Sequence, residues 1–198
     1  MGVALPRHME SRAKVLGHSA HQMLVPFPIG AFGLSIVFDA CYAFTGRREH
    51  AKAARQALDF GLLTSAVAIP FGLVDLLAVE PHTRAKRVGI AHALGNAAML
   101  GLFATSRLKR TCDRAPASAR WLSGSAFALS GVTAWLGGEL VSRHRIGVDD
   151  EAEENATSSL SKHNGRRAEE RLLSSESASP TVGLRGEPEV VRVPRPVE

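Results

Sequence analysis

Met23-Leu-Val-Pro-Phe-Pro-Ile-Gly-Ala-Phe-Gly-Leu-Ser-Ile-Val-Phe-Asp-Ala-Cys-Tyr-Ala-Phe44 decides the fold class. Its one formal charge is Asp39. It is about as long as the roughly 20 apolar residues that carry a helix across a hydrocarbon core about 30 Å thick. Three more apolar stretches follow, at 57–79, 88–105 and 121–141. The expected fold is all-α: an integral membrane, antiparallel four-helix bundle with a disordered C-terminal tail. Short loops force neighbouring helices to alternate in direction, and an even number of spans returns the chain to the side it started from.

Working outward from the spans, the chain divides into a polar, interfacial segment 1–22, the four-span domain 23–148 and a polar tail 149–198. The tail dilutes the apolar core enough to bring the mean hydropathy of all 198 residues close to that of a soluble protein. It opens on Asp149-Asp-Glu-Ala-Glu-Glu154 and continues rich in Ser, Arg and Pro, a composition that buries too little apolar surface to offset chain entropy. Asn155-Ala-Thr157 matches a glycosylation sequon, a match frequent by chance. No cleavable leader is expected, because the first apolar run is too long for one and reads as a retained span.

The formal net charge of +5 comes from Lys and Arg flanking the spans, where cations meet lipid head groups. Basic residues interleaved with aromatics are missing, which argues against nucleic acid as a partner. The positive-inside rule puts the loops with Arg47, Arg48, Lys52, Arg55, Arg107, Lys109 and Arg110 in the cytoplasm, although Arg84, Lys86, Arg87, Arg143 and Arg145 flank the other face. The two cysteines, Cys41 and Cys112, differ in expected depth and lack metal-binding spacing, so both read as free thiols.

Inside the spans the punctuation is that of a tight bundle. Pro26 and Pro28 suit the start of a helix, where a missing N–H costs little, and Pro70 predicts a kink. Small residues recur on one face of the second span (Gly61, Ser65, Ala68, Gly72), of the third (Gly89, Ala93, Ala97, Gly101) and of the fourth (Gly124, Gly131, Gly138). Such stripes let helices approach closely in lipid.

Antiparallel geometry gathers the chemistry-bearing residues at one membrane face. His18 and His21 precede the first span, Asp75 ends the second, His92 begins the third, and Glu139 and His144 end the fourth. Polar residues in a span are costly and face the bundle interior or a wet cavity. His92 and Asn96, one turn apart, are expected to point inward. Imidazoles on facing helices at similar depth suit a transition metal or haem b, with His92, His18, His21 and His144 as candidate ligands. Asp75, Asn96, Glu139 and Asp39 are candidates for supporting or proton-handling roles. The plainer reading has His92 bonded to Asn96 or a backbone carbonyl, and Asp75 and Glu139 paired with Arg84, Arg87 or Arg143. Toward the opposite face, Asp39 and Asp59 are expected to pair with Arg48 or Arg55. A nucleophile elbow, a phosphate-cradling glycine loop and HExxH are all missing from the sequence.

Gly17-His18-x-x-His21-x-Met-Leu-Val-x-Phe-Pro-Ile-Gly30, Phe38-Asp39, Gly72-Leu-Val-Asp75, Gly89-x-x-His92-x-x-x-Asn96 and Trp135-Leu-Gly-Gly-Glu-Leu-Val141-x-x-His144-x-x-Gly147 together resemble a bacterial family of predicted membrane proteins, domain of unknown function 2231. The resemblance covers about Gly17 to Val148. Family members often have proline directly after each of the first two histidines, where this chain has Ser19 and Gln22. The resemblance implies a four-helix, multi-pass protein of the bacterial inner membrane and assigns no reaction. Relatives that look similar sometimes occur joined to electron-transfer modules, which favours a redox role, with an electron-transfer protein as a candidate partner.

Three functions are open at this level. One is a small redox, haem- or metal-binding membrane subunit. Another is a cofactor-free scaffold whose tail recruits a partner. The third, ranked last, is a conduit using Asp39, Asp59 and Asp75, which with so few spans needs a homo-oligomer.

Overall fold

The computed structural model describes residues 9–148; the expectations for the tail and its sequon lie outside them. The chain runs β1 (Lys14–Val15), β2 (His18–Ser19), α1 (Ala20–Leu24), α2 (Pro26–Thr45), α3 (Arg48–Ala78), α4 (Arg84–Leu108) and α5 (Ala117–Ser142). The four long helices stand antiparallel, α2 against α3 and α4 against α5, and the two pairs meet through α3–α4 and α2–α5.

The joints follow from local chemistry. Pro26 supplies no N–H, and α1 passes into α2 there with little change of direction at Val25. Gly46 ends α2 in the left-handed region (φ 65°), its N–H on the Tyr42 carbonyl. Thr83 caps α4 by accepting from the Lys86 N–H at 3.1 Å. Lys86 Nζ then turns back to the last carbonyls of α3, Leu76 at 2.7 Å and Val79 at 3.3 Å, where a cation suits the helix dipole.

By length and composition three helices can cross a membrane: the α1–α2 unit, α3 and α4. The fourth expected span coincides with α5 but falls short, because Ser123, Ser125, Ser130, Thr133 and several glycines dilute its apolar residues. The second expected span also needs correction at its start, since α3 begins at Arg48 rather than near residue 57. At 31 residues α3 is about 46 Å long, more than a hydrocarbon core requires.

The core is small and built around Phe32, Leu58, Met99, Phe103 and Ala126. Phe32 and Phe103 stack face to face, centroids 4.0 Å apart and planes 9° off parallel. Elsewhere the interior is mostly Ala, Ser and Gly, while Leu63, Leu77, Leu94, Trp121 and Trp135 point outward. Small residues inside and large apolar ones outside is the arrangement expected of helices packing in lipid.

Only the second-span stripe is used as anticipated. Gly61 faces the Phe32 ring and Gly72 faces His21, with Ser65 and Ala68 buried between. In α4, Gly89 meets Leu76, but nothing lies within 4 Å of a Cβ built on Gly101. The α5 stripe does not serve the bundle interior, since Cβ atoms on Gly124, Gly131 and Gly138 would meet open space. Alanine at Gly131 is therefore expected to stabilise the helix by up to about 1 kcal/mol in a denaturation titration.

Candidate functional site

The first polar group forms where α1 begins, α3 ends and α4 begins. Asp75, 8% exposed on the last turns of α3, receives Ser11 Oγ on both carboxylate oxygens (2.8 and 2.9 Å), the Arg12 N–H at 3.0 Å and Ser19 Oγ at 3.4 Å. It is thus bound to the hairpin that precedes α1 rather than to Arg84 or Arg87. The hairpin delivers the chain to His21, whose Nδ1 lies 3.1 Å from the Ala68 carbonyl. A carbonyl only accepts, so Nδ1 carries the proton. The ring rests on α3 where residue 72 has no side chain; a Cβ there would come within 2.7 Å of the imidazole.

His92 is held in the same way from the other pair of helices. Its Nδ1–H donates to the Thr133 carbonyl of α5 at 2.8 Å, and its Nε2 lies 2.9 Å from Asn96 Nδ2. The Asn96 amide N–H therefore donates to the lone pair on Nε2. Gly137 makes room for this ring, with a Cβ there 3.1 Å from Cε1. His21 and His92 are electrostatic neighbours. The structure thus holds two imidazoles in the same way, on α1 and α4, each with Nδ1–H tied to a carbonyl of an adjacent helix.

The remaining candidates lie around this pair. His18 is exposed on β2, three residues ahead of His21. His144 follows α5 half-buried, its Nε2 without a hydrogen-bond partner among the described residues. Glu139, 12% exposed, pairs with Arg143 one turn on at 3.3 Å. No group of three His, Cys, Asp or Glu able to hold a metal ion occurs among the described residues.

The opposite end of the bundle is built on ion pairs. Arg110, just past α4, grips Asp39 of α2 with Nη1 on Oδ1 and Nη2 on Oδ2, both at 2.5 Å. The guanidinium is fully buried and the carboxylate 6% exposed. Arg110 Nε also reaches Ser106 Oγ (3.2 Å) and Nη2 reaches Ser123 Oγ (3.0 Å), while the two hydroxyls bond each other at 2.7 Å. Arg107 Nε pairs with Asp59 of α3, and Arg48 with Asp113. The expectation that Asp39 pairs with Arg48 or Arg55 is therefore corrected. Arg55 stays beside Asp59 at 3.9 Å and donates to Cys112 Sγ. Cys41 and Cys112 are free thiols.

Arg110, Ser11 and Ser19 are the residues that sequence reasoning missed. Arg110 had a usable signal: antiparallel helices put the end of α4 at the depth of Asp39. The two serines had none, because a hydroxyl in a polar segment has many possible acceptors.

This architecture defines a small multi-pass membrane protein of antiparallel helices, with imidazoles at one end and a buried ion pair at the other. The chain belongs to the family described as Predicted membrane protein (DUF2231), whose model matches residues 17–150. The match takes in all four long helices and all four candidate histidines, and begins after Ser11 and Arg12. No curated protein and no solved structure matches the chain.

Proposed function

We propose that this protein is a small redox or metal-binding membrane subunit whose paired imidazoles, His21 and His92, are the ligands. The observation that carries the reading is the shared state of the two rings. Each donates Nδ1–H to a carbonyl of a neighbouring helix. That bond fixes ring orientation and leaves Nε2 as the atom with a lone pair, the usual outer-shell arrangement of a metal-ligating histidine. Haem b is the first group to test, because two imidazoles from facing helices are its common axial set in bundles. His18 and His144 are further ligand candidates, and Asp75 and Glu139 supporting ones. An electron-transfer protein is the fitting partner, and the bacterial inner membrane the fitting location.

A specific observation favours a second reading, a cofactor-free scaffold. The Asn96 amide covers His92 Nε2, and Asp75, Glu139 and Asp39 are each satisfied within the chain. The two readings separate in one absorption spectrum of detergent-purified protein from haem-supplemented cells, oxidised and then reduced by dithionite. The ligand reading predicts a Soret band with sharpened reduced bands, lost in His92→Ala, or else stoichiometric metal in a colourless protein. A flat spectrum with no bound metal leaves the scaffold. Under the ligand reading Asn96→Ala uncovers Nε2 and is expected to tighten haem or metal binding severalfold in a titration; an unchanged or weaker affinity contradicts it.

A further inference from the structure

We propose that residues 9–19 are a strap, latched on Asp75, that opens and closes over the end of the bundle that carries His21 and His92. The inference goes beyond the ligand reading, because the latch is defined without any metal.

Among the described residues, three sets of backbone and carboxylate bonds hold the strap. Met9 bridges Ile146 beyond α5, and its carbonyl accepts from Gly147 N–H at 2.9 Å. Near its start and at its far end, Ser11, the Arg12 N–H and Ser19 all donate to the one carboxylate of Asp75 on α3. The Ala20 N–H then bonds the Ala13 carbonyl at 2.8 Å, so the strap is tied to the start of α1, one residue before His21. The segment therefore runs from beyond α5 to α3 and ends two residues before a candidate ligand, His21.

Its means of attachment suit opening. Ser11 and Ser19 are buried, but Val15 and Leu16 are 49% and 67% exposed, so the strap contributes little apolar contact. Segments held by few apolar contacts belong to the low-stability end of a protein. Its turn is a two-residue hairpin with Leu16 at φ 51° and Gly17 at φ 85°. Glycine takes that conformation freely, whereas a leucine there is strained. All three latch donors converge on a single acceptor, so losing that carboxylate releases them together. Opening frees the segment that seats His21 over Gly72, which gives a polar ligand from the aqueous side a way to the imidazoles.

The test uses the full chain in lipid nanodiscs and reads tryptic cleavage after Arg12 and Lys14 by mass spectrometry, with carbethoxylation of His21 by diethyl pyrocarbonate alongside. Asp75→Ala is expected to speed both by at least tenfold at unchanged helical content. Leu16→Asn, which gives the turn the favoured Asn-Gly pair, is expected to slow both severalfold. Ser11→Ala, which leaves α3 intact, serves if Asp75→Ala fails to fold, and is expected to speed both severalfold. Rates equal to those of the unaltered protein in all folded variants overturn the strap. Faster cleavage with unchanged His21 labelling overturns its gating role. Neither readout depends on bound haem or metal, so failure of the ligand reading leaves this test intact.

Discussion

Replacing Arg110 with alanine is expected to destabilise the bundle by about 3–5 kcal/mol, the usual cost of leaving one member of a buried ion pair uncompensated. The reason is the completeness of burial at this end. The guanidinium has no exposed surface, and it is the only cation bonded to Asp39 among the described residues. Removing it strands a carboxylate between α2, α4 and α5, and takes from Ser106 and Ser123 the donor that links them to it. The double variant Asp39→Ala, Arg110→Ala is expected to lose less than Arg110→Ala alone, because no orphan charge remains. Helix content followed through a denaturing-detergent titration measures both. Equal stability of Arg110→Ala and the parent protein contradicts the placement of the pair.

Gly61→Ala is the second large effect, expected at about 1–3 kcal/mol of destabilisation. An added Cβ would lie 2.5 Å from Phe32 Cε1 and 2.7 Å from Cδ1. Phe32 has little freedom to move aside, since its ring is stacked on Phe103 and only 2% exposed. The clash must therefore be relieved by parting α2 from α3. The contrast with Gly131 makes the prediction sharp. Alanine is the better helix former at either site by about 0.8–1 kcal/mol, yet only at Gly131 is there space to accept it. Thermal unfolding of the two variants under one condition checks the difference, and equal midpoints count against the Phe32–Gly61 contact.

These cases show what the sequence carried. Apolar runs located all four long helices, because lipid and core both demand them. They did not locate the start of α3, where Arg48, Lys52 and Arg55 are as polar as a loop. Spacing put Gly124, Gly131 and Gly138 on one face of α5, but spacing alone does not tell an inward face from an outward one. The pairing of His92 with Asn96 was legible because residues one turn apart are neighbours on a helix. A backbone carbonyl was also an expected partner, but which one was not legible, since a carbonyl such as that of Thr133 looks the same at every residue. The hairpin escaped for a similar reason: two-residue strands are too short to alternate, and Leu16-Gly17 is not a common turn pair. Partners were sought near Asp39 and Asp59 along the chain, whereas Arg110 follows α4, two helices on from Asp39, and Arg107 lies on α4, the helix after that of Asp59.

Under the ligand reading, His21 and His92 each hold their proton on Nδ1 and offer Nε2 as the ligand atom. The most direct measurement is solid-state ¹⁵N NMR of ring-labelled histidine in bilayers, with the two signals assigned by their loss in His21→Gln and His92→Gln. The account predicts a protonated Nδ1 and an unprotonated Nε2 for both rings. A proton on Nε2 of either ring, with Nδ1 bare, contradicts it.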